Sequence, residues 1–268
     1  MMAEDSRESD FLESLFGVGV DPLDPREASR RSARRALPKR FWREVAVVER
    51  GEGFAIALDG KIARTPSRHE LAVPNRVLAE ELAREWRDLD TEINPSRMPL
   101  TRLVNTAIDA VAAHAEAVAA DIVKYAESDL ICYREALNER LAARQATHWD
   151  QPLVYMREAY GARFTLAAGV IFTPQPEAAI AAVAVAVSQL PAPFGLAALH
   201  SVTTLTGSAI LALALAAGRL SPDAAWAAAH VDEDFQIAAW GEDAEAQERR
   251  AGRRVEFDAA ALLLSTLR

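Results

Sequence analysis

Apolar and polar residues alternate only near the start of the chain, and that alternation marks its strand region. "FWREVAVVER" (41–50) and "FAIALD" are rich in β-branched and aromatic residues, and "KIARTP" (61–66) follows at once. Asp59-Gly60, between the last two, is a two-residue hairpin signal, because a type I′ turn needs positive φ at both positions. "ELAV" (70–73) offers a fourth strand. A lone hairpin is marginal in water, so this sheet must pack against another element.

From Pro74 the period becomes that of a helix. "PNRVLAEELAREWRDLD" puts proline at a helix start and Val77, Leu78, Leu82, Trp86 and Leu89 on one face. An alanine-rich helix follows over 100–126, broken near His114, and more helices are predicted at 136–160, 175–190, 193–217, 221–239 and 242–265. Gly161, Pro174–Pro176, Pro191–Pro193, Gly218 and Gly241 punctuate them. "FTLAAGVIF" (164–172) is one more strand or an extended stretch. The pattern predicts an α+β fold: a charged tail over 1–38, a β-rich N-terminal domain with one helix over 39–98, and a helical domain over 99–268.

Charge refines that picture. Residues 1–25 carry seven acids against one arginine, whereas 26–40 carry seven basic residues against one glutamate. Opposed blocks of this kind stay solvated. An acidic start without an apolar run fits neither a secretory signal nor a transit peptide. The apolar run Ala209–Ala217 falls far short of the roughly 20 residues a bilayer needs, so it is a buried core helix. A net charge of -9 argues against general nucleic-acid binding. The single cysteine, Cys132, precludes an internal disulfide and fits a reducing compartment.

Candidate chemistry is sparse. No P-loop, dinucleotide fingerprint or nucleophile elbow has the required spacing, and the five histidines form no metal-ligand pair. "KYAESDLICYR" (124–134) sets Glu127 and Asp129 beside tyrosines, which suits acid–base work or a polar tie between helices. "HVDEDFQIAAWGEDAEAQERR" (230–250) lies in a window, 220–248, with eight acids and no base. Trp226, Phe235 and Trp240 interleave with those acids. An acidic interaction surface and a pair of solvated helix faces both fit this stretch. A hydrolase or metal-dependent enzyme using the acids near 127–129 and 230–245 is the alternative.

The segments "LDGKIARTP", "LAEELAREW", "MPLTRLVNTAID", "YAESDLICYR", "VTTLTGSAILALAL" and "WGEDAEAQERR" occur in an order that resembles one family. It is the family of assembly chaperones for the F(1) head of ATP synthase, acting on the α subunit. The resemblance runs from "RFWREVAVVE" to the C-terminus. It implies an α+β fold with an N-terminal β-rich domain and a C-terminal helical one. It also implies a non-enzymatic, protein-binding role without cofactor, metal or small-molecule substrate: holding newly made α subunit, preventing its aggregation and yielding it to β. A bacterial, cytoplasmic member is expected, without nucleic acid or membrane insertion. The family's W-G-x-D-x-E region falls on Trp240, Gly241, Asp243 and Glu245, and the resemblance assigns partner binding to Trp240, Glu242, Asp243 and Glu245. Trp86 and Asn105 also match family positions and are expected to be structural, like Glu127 and Asp129.

Overall fold

The computed structural model describes residues 37–268, so the expected tail lies almost wholly outside the described residues. Two compact units divide between Ala110 and Val111.

In the first unit, β1 (Val45–Arg50) pairs antiparallel with β2 (Gly53–Leu58). Strand β2 turns at Asp59-Gly60 into β3 (Lys61–Ile62), and β4 (Ala72–Val73) pairs with the other half of β2. Asp59 and Gly60 take φ of 47° and 78°, the left-handed pair that the hairpin signal demanded. Gly53 is required by close approach, because a Cβ there would sit 2.5 Å from the Val73 carbonyl oxygen. Helix α1 (Arg76–Arg87) covers the sheet through Leu78, Ala79, Leu82 and Ala83. Its start differs from the expected one: Asn75, not Pro74, is the cap, accepting the Leu78 N–H at 2.9 Å. Val77, expected on the apolar face, is exposed.

Helix α2 (Pro99–Asp109) also belongs to the first unit. The sequence reading sets the domain division at 98/99, after one helix, whereas polar ties attach this second helix to what precedes it. The Glu85 carboxylate accepts the N–H groups of Leu100 and Thr101 at 2.8 Å each, and burial raises its pKa. At the other end Asp109 accepts from the Thr65 hydroxyl at 2.6 Å and the Ser67 N–H at 3.0 Å. Periodicity reports an element's type and says nothing of which neighbour it bonds.

The second unit is helical: α3 (Ala115–Tyr125), α4 (Glu139–Tyr160), α5 (Glu177–Ser188), α6 (Phe194–Thr206), α7 (Ala209–Ala216), α8 (Pro222–Ala229), α9 (Val231–Trp240) and α10 (Ala244–Thr266). One short parallel pair, β5 (Tyr133–Arg134) with β6 (Ala167–Ala168), interrupts them. Helix α7 is apolar on every side and buried from Ala209 to Leu215, which makes it a core element rather than a membrane one. No helix among the described residues is long and apolar enough to cross a membrane.

Two expected long helices are broken. Gly207, with φ of 68°, ends α6, and Ser208 caps α7 by accepting the Leu211 N–H at 3.0 Å. His230 separates α8 from α9. Pro152, by contrast, sits buried inside α4 without ending it.

Candidate partner-binding surface

Helices α9 and α10 meet at Gly241, whose φ of 88° and ψ of 175° lie in a region essentially closed to other residues. The corner exists because glycine stands there. Asp243 then starts α10 by accepting the Ala246 N–H at 2.7 Å. Between the helices runs an open groove of about 580 Å3, lined by Ile237, Trp240, Ala246 and Ala251 with Glu242 and Asp243 beside them. Trp240 is 89% exposed. An indole so placed carries unburied apolar area and suits a partner.

The eight-acid window is less one-sided in space than along the chain. Arginines from α10 fold back over it: Arg250 pairs with Asp234 at 2.6 Å, Arg254 with Asp223 at 2.5 Å, and Arg249 with Glu245 at 2.6 Å. Asp232 accepts from the Gln145 amide at 2.7 Å. Glu242 and Glu248 show no ion pair among the described residues, so the uncompensated charge concentrates at the corner and first turns of α10. The α-helix dipole favours acids at that end. Trp226, whose place among the acids fitted either an interface or a core anchor, is buried against Phe257 with ring centroids 5.1 Å apart.

His230 and Asp234, four apart in the sequence and so able to share a helix face, do not come together. His230 is buried, its Nδ1 donating to the Trp226 carbonyl oxygen at 2.8 Å, and burial lowers its pKa. Asp234 faces Arg250. Glu127 and Asp129 part in the same way. Glu127 is exposed, whereas Asp129 is fully buried and accepts the N–H groups of Ile131 at 3.3 Å and Ile210 at 3.1 Å. Burial pushes the Asp129 carboxyl up to about 6. This carboxylate ties a 3-10 turn to the start of α7. Burial likewise drives the Cys132 thiol up to about 12, leaving little thiolate at neutral pH. No group of three or more His, Cys, Asp or Glu is arranged to hold a metal among the described residues.

Trp86 and Asn105 lie in the first unit. Trp86 is half-buried and packs on Trp42 with centroids 5.1 Å apart. Its Nε1 and the Asn105 Oδ1 are buried without a hydrogen-bond partner. The structure therefore brings Trp240, Glu242, Asp243 and Glu245 together at one corner and keeps Trp86, Asn105 and Asp129 within packed surroundings. One exposed feature went unread in the sequence: Val170, Ile171 and Phe172 are exposed in a row. Its signal was "VIF" after Gly169, which the reading of 164–172 as a strand or extended stretch absorbed.

The fold and this corner define an α+β protein whose candidate site is an open groove rather than a closed catalytic pocket. Residues 39–157 match the family described as ATP12 chaperone protein. A provisionally assigned chaperone from Agrobacterium tumefaciens is 44% identical, covering 100% of this chain and 99% of its own, with a TM-score of 0.84. Atp12 from Paracoccus denitrificans is 36% identical, covering 86% of this chain and 99% of its own, with a TM-score of 0.80. The mitochondrial atp12 protein of Schizosaccharomyces pombe is 25% identical over 223 residues, 78% of this chain and 76% of the relative. The chain belongs to the ATP12 chaperone family.

Proposed function

We propose that this chaperone binds newly made F(1) α subunit of ATP synthase in the bacterial cytoplasm, prevents its aggregation and yields it to β. It works without a catalytic step of its own. Family membership supports the class. One observation supports the surface: the exposed Trp240 indole over the α9–α10 groove, with Glu242 and Asp243 lining it and Glu245 following in the first turn of α10. An apolar anchor takes the client's buried patch, while the corner acids select a basic rim and speed encounter.

The geometry favours this reading over a hydrolase or metal-dependent enzyme. Asp129 is fully buried and committed to backbone N–H groups, and His230 is buried with its Nδ1 on a backbone carbonyl. The test is capture. Tagged chain should co-purify with F(1) α subunit, suppress its aggregation on dilution from denaturant at about one chain per subunit, and release it when β is added. Equal suppression of unrelated aggregating proteins, with no release by β, would contradict the assignment.

A further inference from the structure

A second exposed apolar feature lies in the helical unit, outside the α9–α10 corner. Val170, Ile171 and Phe172 are 96%, 79% and 64% exposed, at the tip of a loop over 165–175. Three consecutive large apolar residues in water are a liability unless something covers them. The loop is also built to hold them out. Its base is clamped by Gln175, whose Oε1 accepts the Thr165 N–H at 2.8 Å and whose Nε2 donates to the Thr165 carbonyl at 3.0 Å. This side chain imitates a pair of strand hydrogen bonds. One arm is fixed again where β6 pairs with β5, and the Gly169 N–H donates to the Arg134 carbonyl at 2.8 Å. A tip held at both arms has less freedom to lose on binding.

Beside the tip opens a cleft of about 560 Å3, lined by Val170 together with Leu130, Tyr133, Leu205, Glu233 and Arg253. Glu233 lines the α9–α10 groove as well, so the two depressions adjoin. From this arrangement we infer that the 170–172 tip and its cleft are a second docking element for the same client, taking an apolar patch next to the basic rim that the corner acids face. The inference rests on the client reading above. A second copy of this chain fits less well, because a symmetric dimer through this face would set one acid-rich 232–248 stretch against another.

The experiment compares wild type with a variant carrying Val170→Ser, Ile171→Ser and Phe172→Ser, using F(1) α subunit freshly diluted from denaturant. Because the three side chains are exposed, the variant should fold and melt as wild type does. Its affinity for α subunit should fall at least about tenfold, the usual scale for losing an aromatic and aliphatic anchor. Gln175→Ala keeps the tip but frees its base, and should weaken capture by a smaller factor. Wild type that captures while the serine variant captures equally well would overturn the inference and leave the client reading standing. Wild type that captures nothing would remove the client reading, and the inference with it. A wild-type dimer that the serine substitutions convert to monomer would show the tip covered by a second copy, also overturning it.

Discussion

"YAESDLICYR" and "WGEDAEAQER" share a vocabulary, carboxylates beside aromatics in a turn between helices, yet the fold uses them in opposite ways. In the first, Asp129 is fully buried, spends its oxygens on two backbone N–H groups and is held up to about 6 by burial. In the second, Trp240 and Glu242 face solvent, and Asp243 both caps α10 and borders an open groove. What separates them is the helix N-terminus that each carboxylate serves: Asp129 reaches the start of α7 across the chain, whereas Asp243 starts α10, the helix that follows it. Helix α7 is apolar on every side, so its N-terminus is drawn into the core and needs a buried acceptor. Helix α10 begins polar, so its N-terminus can stay in water.

The comparison breaks most sharply at Asp129. Asp129→Ala orphans two buried donors and opens a small void, so it should cost about 2–4 kcal/mol in chemical denaturation. A loss below about 1 kcal/mol would mean that the carboxylate is not a structural tie. The pH dependence sharpens the same point. A folded pKa raised above the unfolded one contributes stability that is full below about 4 and is lost as pH rises through about 6. Wild type should therefore lose stability relative to Asp129→Asn between pH 4 and 7, by at most about 3 kcal/mol. A constant difference across that range would contradict it.

At the corner the effects on stability are smaller. Gly241→Ala forces a side chain into a glycine-only conformation and should cost about 1–3 kcal/mol, with weaker capture because the groove walls move. Asp243→Ala removes the α10 cap and should cost about 0.5–2 kcal/mol, whereas Asp243→Asn should cost less because the amide oxygen still caps. Because Asp243 caps α10, a lysine there would confound any effect on binding with one on folding. Glu242 caps nothing and separates them: Glu242→Lys should leave the melting curve within about 0.5 kcal/mol of wild type and weaken capture most at low salt.

Much of the fold was legible from period and turn chemistry. Asp59-Gly60 gave the hairpin, and Gly161, Gly218 and Gly241 gave helix ends, since each signal is local. Gly207-Ser208 was equally local, yet the apolar run through Ala217 hid it. Long-range ties were not legible: Glu85 reaching Leu100, Asp129 reaching Ile210 and Arg250 reaching Asp234 each join residues distant in sequence. The site shows the same limit. Its candidate residues came from the family pattern alone, and its charge was misjudged from a window that stopped one residue short of the arginines that pair with it.

The most direct test is a paired measurement on Trp240→Ser. Affinity for F(1) α subunit, measured by titration, is set beside thermal melting of the chaperone alone. An indole 89% exposed contributes little to the fold, so the melting temperature should stay within about 2 °C while affinity falls at least about tenfold. A melting temperature many degrees lower would make Trp240 a structural residue. Unchanged affinity with unchanged melting would mean that the α9–α10 groove is not where the client binds.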